Sequence, residues 1–490
     1  MRHALVRAPP SMSLREVALA WVFAAFFLSI GAPVYSQNET SSALTGEVVN
    51  AFGEPLAGAS VELSHTPTGA THYAYANAFG RFAFSGLPPG GDHVLRVSYY
   101  RYEALELPAP FLHLGENQAP TITLVRPRAA EEKIHEMDPL VISTGRLSSL
   151  LASSTDLSRN ALENQPSINR SINEYARNDP HVSLIDAERG ELTGAGQNTR
   201  FNSTQIDGVR LNDMFGITAN GMPSQGNPFS LETVDALSID VSPYDASRSG
   251  FTGASINAVT RSGTNEFHGS LYYSYRNQNF RAHHPVTGKR DPFTDQTAGL
   301  TFGGPLWLNR LFFFVGYEYS QRTEPAPSAG FDPDPAALAQ IITIARNYGY
   351  DPGVLVNPGA QRQKDHKYLT RVDWQIDPSH KLSTRYSRTR GQNPVFADYS
   401  TSGRVSLNRH WYVSEQSLDA VSVQLFSRWT DDFSSEVKVA THTYTSTRAT
   451  QGRFPQIRIN GVPSADGTDT GSVIAGVEET SQINDLAVEN

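Results

Sequence analysis

Hydrophobic and polar residues alternate along much of the second half of this chain. Between 266 and 276 one set of alternate positions is apolar or glycine: Phe267, Gly269, Leu271, Tyr273 and Tyr275. A period of two indicates a β-strand, because successive side chains point to opposite faces. A Gly- and Ser-rich turn and a short apolar run precede this strand, and the turn-forming residues 261–265 separate the two. The pattern predicts that globular domains give way near residue 263 to long antiparallel strands.

Further alternating segments follow, joined by connections of unequal length. They predict strands at 297–303, 311–320, 367–376, 381–388, 418–429 and 435–444, with a short turn at 304–307. Long and short connections alternate along the chain, as in outer-membrane barrels. Aromatic residues at strand ends would form girdles at the membrane interfaces: Tyr317, Tyr319, Trp374 and Trp429. A soluble sandwich or propeller is the alternative, but these folds do not usually combine such long strands with strictly alternating loops. We expect a partial transmembrane β-barrel over 263–490.

One long connection contains a helical pattern at 335–348, with Asp334 as its N-cap and Gly349 as its stop. The long loops also carry aromatic residues: Tyr348, Tyr350, Tyr399 and Trp411. These side chains could bind sugars or peptides, but packing within the loops is the commoner role of such residues.

The N-terminus has the pattern of a secretory signal peptide over 1–36. Arginines precede an apolar run, 17–30, and small residues follow it. A membrane anchor is the alternative, but the run of about 14 residues is shorter than the roughly 20 that span a bilayer. We expect export and cleavage near Ser36.

Short strands with regular turn signals over 43–125 predict a small β-sandwich. The order GEVV, GEPLAGASVEL, NAFGRFAFSGLPPG and HVLRVSYYRYE resembles the carboxypeptidase regulatory-like domain, an accessory domain without peptidase chemistry. His113 and Glu116 match the HxxE spacing of a metallopeptidase ligand pair. Such a short pattern arises by chance, and a catalytic zinc site needs a third ligand and a base.

Residues 126–146 predict a charged linker that ends in an extended segment, 137–144 (MDPLVIST). Pro139 disfavours a helix there. Such a segment can add itself as a strand to the sheet edge of a partner. It can equally be the first strand of the next domain.

Residues 147–262 predict a mixed α/β domain. A short helix is expected over 169–178 with Ser171 as its cap, and a strand over 236–241. Another strand, 203–209, turns at an Asp-Gly pair, a strong hairpin signal.

Asp207 and Asp240 in this domain could be considered as paired carboxylates. We interpret Asp207 as a turn residue and Asp240 as an exposed strand residue, because nothing in the sequence marks a cleft that they share.

The composition excludes several classes of function. The chain has 490 residues, a formal net charge of −9 and no cysteine. The charge argues against a nucleic-acid partner, and the missing cysteine excludes thiol catalysis and Cys-ligated zinc. No HExxH, Walker A or GxSxG pattern occurs. We therefore expect no enzyme, no catalytic or metal-binding residues and no cofactor.

Several segments occur in an order that resembles TonB-dependent outer-membrane receptors of the Oar-like group. They are IDGVRLND (206–213), VSPYD (241–245), FTGASINAVTRSGTNEFHGSLYYSYRNQ (251–278), FGGPL (302–306) and LFFFV (311–315). That group carries the same N-terminal sandwich. The resemblance covers residues 43–450; the block 251–276 is specific, whereas a single piece such as IDG is weak.

The resemblance implies a plug domain, here 147–262, inside a barrel in the outer membrane. It also implies a receptor that imports an extracellular ligand with energy from TonB and its inner-membrane complex, with outer-membrane lipid around the barrel. The ligand is not identified by the sequence. A TonB box would lie near the start of the plug, on Asp138, Pro139, Leu140, Val141, Ile142 and Ser143. A surface-binding or export-associated protein on the same scaffold is the alternative.

The resemblance also leads us to expect a chain truncated within the barrel. Plugged transporter barrels have about 22 strands, and about seven are predicted here before residue 450. The C-terminal residues, Glu489 and Asn490, also differ from the aromatic residue with which such barrels end.

Overall fold

The computed structural model describes residues 41–126, 153–168, 170–186, 190–213, 218, 220–222, 224, 226–241, 250–283, 288, 290–430, 433–450, 455–477 and 482–489. The predicted signal peptide and the segment 138–143 lie outside these residues. Within them, β-strands dominate, which confirms the mainly β fold.

Residues 42–124 form a sandwich of two sheets. One has the order β4-β1-β7, with β8 paired to the end of β1, and the other has the order β3-β2-β5-β6. Apolar side chains alternate with exposed ones and meet between the sheets, as Phe82 and Phe84 do. The strands are β1 (Ser42–Asn50), β2 (Ser60–His65), β3 (Ala70–Tyr75), β4 (Arg81–Leu87), β5 (His93–Ser98), β6 (Leu105–Pro108), β7 (Gly115–Gln118) and β8 (Ile122–Leu124).

The next unit is the mixed α/β domain, and we call it the plug (153–260). Its helices are α1 (Arg159–Asn164) and α2 (Ile172–Ala176), and its strands are β9 (Ser153–Ser158), β10 (Val182–Asp186), β11 (Glu191–Gly194), β12 (Ser203–Ile206), β13 (Val209–Arg210), β14 (Val234–Val241) and β15 (Ala254–Thr260). The main sheet has the order β13-β12-β15-β14-β9. Ser171 caps α2 as predicted: its side chain accepts a hydrogen bond from the Asn173 amide.

Eight strands after the plug form one antiparallel sheet within the described residues, in the order β16-β17-β18-β19-β20-β22-β23-β26. We call it the barrel wall. The strands are β16 (His268–Asn277), β17 (Thr294–Trp307), β18 (Leu311–Glu324), β19 (Gln361–Asp377), β20 (His380–Val395), β22 (Tyr412–Arg428), β23 (Ser434–Thr450) and β26 (Gln482–Glu489). Short turns join them at one end and long loops at the other.

The barrel wall reverses the polarity of a soluble sheet. Apolar side chains point outward, and Leu271 is 87% exposed, whereas Arg385 on the inner face is only 2% exposed. An outward apolar face suits lipid, and the inner face packs against the plug. The plug core is continuous with inner-wall residues such as Phe314 and Leu369.

The predicted turn at 304–307 was wrong, because β17 continues to Trp307 and the chain turns at 308–310. Pro305 lies inside this strand although it has no backbone N–H for a ladder. In the described structure β16 starts at His268, opposite Gly303, so Pro305 lies beyond β16 and pairs with β18 alone. A strand with one neighbour tolerates proline.

Three of the long loops fold together into a small unit that we call the outer module. It contains α3 (Pro335–Asn347) and a sheet of β21 (Arg404–Ser406), β24 (Ile457–Pro463) and β25 (Thr470–Ala475) in the order β21-β25-β24. Asp334 caps the helix as predicted, with its carboxylate 2.9 Å from the Ala337 amide. None of the described helices combines the length and the apolar character needed to cross a membrane.

The outer module has its own hydrophobic core, separate from that of the plug. Trp411, Tyr399 and Tyr350 are buried in it, together with strand residues such as Val405 and Val473. Most of the loop aromatics therefore serve packing, whereas Tyr348 is 88% exposed.

Backbone contacts tie the module together at Gly330. Its amide donates to the carbonyl of Tyr399 at 2.8 Å, and its carbonyl accepts from Gly403 at 3.1 Å. A Cβ added at Gly330 would lie 2.0 Å from the carbonyl oxygen of Thr401, so only glycine fits.

We expect Gly330→Ala to separate the first two loops of the module. Backbone atoms cannot yield to the added methyl group, so the module should lose about 1–3 kcal/mol. Limited trypsin digestion of the assembled protein should then cut the long loops faster. The same substitution at Gly226, where the nearest atom would be 4.0 Å away, is the control. Equal digestion rates for the two variants would contradict the prediction.

Candidate functional site

The interface between the plug and the barrel wall carries the most concentrated buried charge of the described residues. Its centre is the hairpin turn between β12 and β13. Asp207 and Gly208 both have positive φ, 47° and 70°. Two such residues in succession form the turn that joins closely paired antiparallel strands, which is why Asp-Gly is favoured there. The turn brings the Asp207 carboxylate against the inner wall.

Asp207 is held from both the plug and the wall. The amide and hydroxyl of Thr260 donate to its carboxylate at 2.8 Å each. From the wall, the guanidinium of Arg385 on β20 donates at 2.9 Å, and that of Arg371 on β19 lies 3.9 Å away. The ammonium of Lys438 on β23 donates to the Asp207 carbonyl. One plug residue thus contacts three strands of the wall.

The guanidinium groups of the wall also bind the plug backbone. Arg385 donates to the carbonyl of Ile206 at 2.7 Å, and Arg371 to that of Thr260 at 2.6 Å. Arg371 is oriented by Asp373, two residues along its own strand, at 2.8 Å. Planar guanidinium groups suit such multiple contacts.

The electrostatics of Asp207 follow from this arrangement. Burial disfavours the charged carboxylate, but Arg385, Arg371 and the two bonds from Thr260 outweigh it and hold the pKa of Asp207 below its ordinary value. The carboxylate is therefore ionised at neutral pH. Removing one partner of such a buried pair leaves an uncompensated charge, which typically costs about 3–5 kcal/mol.

A second cluster lies between the start of β14 and the wall. Glu318 on β18 accepts from Ser230 of the plug at 2.7 Å, from Tyr272 on β16 at 2.8 Å and from Lys367 on β19 at 2.8 Å. Glu318 and Lys367 are 5% and 9% exposed. This carboxylate links the plug to three wall strands, as Asp207 does.

Plug charges continue this cluster toward α1. Glu232 forms ion pairs with Arg159 at 2.6 Å and Arg170 at 2.5 Å, and Arg170 lies over the ring of Tyr272 at 5.0 Å. Burial raises the pKa of Glu232, but the two arginines outweigh it, and its pKa is lowered. The charges of the plug and the wall therefore form a connected network.

Asp207 and Asp240, which the sequence analysis considered as paired carboxylates, lie far from each other. Asp240 was expected to be exposed, which was wrong: it is 2% exposed, because β14 lies between β15 and β9. Asp240 pairs with Ser255 of β15, whereas Asp207 binds Thr260. Five residues of β15 separate these points by roughly 16 Å, so the carboxylates do not share a cleft.

His113 of the HxxE pattern lies 3.3 Å from Asp156 of the plug, and Glu116 is exposed on β7. Among the described residues, no group of three or more His, Asp or Glu side chains could hold a metal ion. The predicted TonB box, Asp138 to Ser143, lies outside the described residues and stays a prediction.

Sequence reasoning missed the charged pairs of the interface. The alternation of β19 does place Lys367, Arg371 and Asp373 on one face, opposite Tyr368 and Trp374. Charges on the inner face of a predicted barrel strand are a signal for plug contacts. The plug residues that bind the wall carry no such signal. Ser230 lies 88 residues before its partner Glu318, and Asp207 lies 178 residues before its partner Arg385.

Comparisons with known proteins agree with this architecture. Residues 43–125 match the model of the carboxypeptidase regulatory-like domain, and residues 259–352 match an outer membrane beta barrel domain. The TonB-dependent transporter Oar of Myxococcus xanthus is 27% identical over 326 residues, which is 62% of this chain and 28% of Oar.

Two solved structures match part of this chain. The outer membrane transporter YddB of Escherichia coli is 12% identical with a TM-score of 0.50, over 69% of this chain and 44% of YddB. The ferric enterobactin receptor PfeA of Pseudomonas aeruginosa is 15% identical with a TM-score of 0.44, over 69% and 45% of the two chains. This chain thus spans less than half the length of these three relatives.

The relatives Oar and YddB are named as transporters, not as enzymes. The matched barrel domain and the Oar homology indicate the outer membrane of a Gram-negative bacterium. This chain is a homologue of the TonB-dependent transporter Oar, with a carboxypeptidase regulatory-like domain and an outer-membrane β-barrel domain of the TonB-dependent receptor fold.

Proposed function

We propose that the protein imports an extracellular ligand across the outer membrane with energy delivered by TonB. The observation that carries the proposal is a folded plug held against the inner barrel wall by buried ion pairs, above all Asp207 with Arg385. A plug in this position obstructs the lumen, so passage requires it to move. Breaking a buried pair costs several kcal/mol, about 3–5 by analogy with other proteins, which calls for an external source of work.

The topology of the plug supports a pull from its N-terminal side. Strand β9 is the first described strand of the plug and lies at the edge of the sheet, paired with β14. Force applied to the chain before Ser153 would therefore reach an edge strand first. We propose that the segment 138–143 adds itself as a strand to a sheet edge of TonB, largely through backbone hydrogen bonds.

The ligand would bind from the outside, to the plug and the long loops. The outer module presents Tyr348 and Ile344, 88% and 49% exposed, on this side. The alternative, a surface-binding or export-associated protein, would not need the TonB box. Restoration of the phenotype in a deletion strain by a variant that lacks 137–144 would contradict import and favour this alternative.

The TonB-box hypothesis predicts different results for two substitutions at Val141. Val141→Pro removes a backbone donor from the added strand and should weaken binding of the purified periplasmic domain of TonB by at least roughly tenfold. Val141→Ala keeps the backbone and should change the affinity by less than about threefold. Isothermal titration measures both, and equal losses for the two variants would argue against strand addition.

The plug anchor is tested by Asp207→Asn. The variant removes the negative charge beside the buried guanidinium of Arg385, whereas Arg371 keeps Asp373, and it should destabilise the plug by about 3–5 kcal/mol. In planar bilayers, the assembled protein should then conduct at a lower urea concentration than the wild type. Asp332→Asn, on an exposed loop residue, is the control. Unchanged urea dependence would show that the pair does not hold the plug.

The same assay has an expected pH dependence. Because the folded-state pKa of Asp207 is depressed, its contribution to stability is present above the ordinary carboxyl pKa of about 4 and is lost as the pH falls further. The difference between wild type and Asp207→Asn should therefore persist from pH 7 to about pH 5 and shrink below about pH 4.

A further inference from the structure

The N-terminal sandwich lies across the short-turn end of the barrel wall, beneath the plug. Its β2–β3 turn reaches Asn265, at the junction between plug and barrel. The Asn265 amide donates to the carbonyl of Pro67 at 3.0 Å, and its side chain donates to that of Thr68. Asn265 and Asn309, in the β17–β18 turn, also exchange two bonds of 2.8 Å. Asn265 thus joins the sandwich, the plug junction and a barrel turn.

Two further contacts lie away from this junction. At the end of β22, the guanidinium of Arg428 donates to the carbonyl of Tyr73, and the ring of Phe426 packs on Gly86. A Cβ at Gly86 would lie 3.3 Å from the Cβ of Phe426. On the plug, His113 pairs with Asp156 on β9. The sandwich is therefore held at three separate points, which fixes its orientation.

A cavity of about 710 Å³ lies between the sandwich, the plug and the wall. Each unit contributes polar groups to its lining: His65 and His72 from the sandwich, Asp207 and Asp235 from the plug, and Lys381 from the wall. A volume in this range is typical of cavities that hold a small molecule. Solute that passes the plug near Asp207 would enter this cavity and meet the sandwich next.

Two histidines on the sandwich side of the cavity, His65 and His72, are neutral at neutral pH. Burial, together with Lys381 and Arg428, lowers the pKa of His72 to about 4, and burial, His93 and Lys381 lower that of His65 to about 3. Neutral histidines can lie beside Lys381 and Arg428 without repulsion. The absence of charge repulsion at these histidines is consistent with stable docking of the sandwich on the wall.

We infer that the sandwich is a second, inner closure of the transport path, and that it must leave the barrel end before cargo reaches the periplasm. This inference rests on the proposed import function. In the docked state the sandwich blocks the cavity below the plug, and Asn265 acts as its latch. The closure differs from the plug because it contacts the wall at its rim, through a domain that precedes the plug in the chain.

A disulfide across the docking contact tests the inference. The chain has no cysteine, so Gly86→Cys with Phe426→Cys provides a single possible bond, and the Cβ separation is close to the roughly 3.5–4.5 Å of natural disulfides. We expect the bond to form in cells, seen as a shift on non-reducing gels. It should abolish complementation of a deletion strain, and a reductant in the medium should restore it. The two single variants are the controls.

Each outcome of this experiment decides a point. Because Gly86 has a φ of 69°, a Cys side chain there is strained, and the Gly86→Cys single variant must first complement the deletion strain. If it does, no disulfide under oxidising conditions contradicts docking, and a disulfide with full complementation contradicts the closure. The variant that lacks 137–144 is tested in the same strain. If that variant complements while the disulfide blocks, the TonB-driven import proposal fails and the closure does not.

The latch is tested separately with Asn265→Ala in the double-cysteine protein. Loss of its side-chain hydrogen bonds should lower the rate of disulfide formation by roughly three- to tenfold. Asn347→Ala, on the exposed face of α3, is the matched control and should leave the rate unchanged. An equal rate in both variants would show that Asn265 does not hold the sandwich.

Discussion

Charge buried inside a barrel must be paired, and this constraint organises the whole molecule. The outer face of the wall is apolar, so the polar side chains of each strand point into the lumen. Arg385 and Glu318, 2% and 5% exposed, would be costly there without partners. The plug supplies Asp207 as a counter-charge to Arg385. Glu318 is paired with Lys367 inside the wall and also accepts a hydrogen bond from Ser230 of the plug. Plug and wall therefore stabilise each other.

The same ion pairs hold the plug in one position and also allow it to be released in a single step. Apolar packing is non-directional and tolerates sliding, whereas the contacts of Asp207 need defined positions on three wall strands. A small displacement therefore breaks several of them together. Such an interface favours two discrete states over gradual loosening, as expected for a domain that must either close a lumen or open it.

Much of the fold could be predicted from the sequence, because the strongest local signals agree with the tertiary structure. Period-two alternation located β16 to β20, β22 and β23, and the Asp-Gly pair located the turn at Asp207. Strand ends were less well predicted. Beyond the membrane the outer halves of the strands lose their apolar face, so β22 begins at Tyr412 although its alternation is clear only from Leu418.

The site was less predictable than the fold. A pair such as Asp207 and Arg385 depends on which strand of the wall faces which turn of the plug, and nothing local to either residue records this. Asp240 shows the same limit, since its burial follows from the neighbours of β14 in the sheet. The outer module was also missed, because its core combines apolar residues from three loops, each of which alone resembles an ordinary loop.

That composite core has a consequence for biogenesis. Helix α3 has 13 residues and none of them is buried, and an isolated helix of this length is marginal in water. Its support comes from β24 and β25, more than 100 residues later in the chain. The first loop therefore completes this core only when the third loop is in place. A block to insertion of the later hairpins should expose α3 to surface proteases.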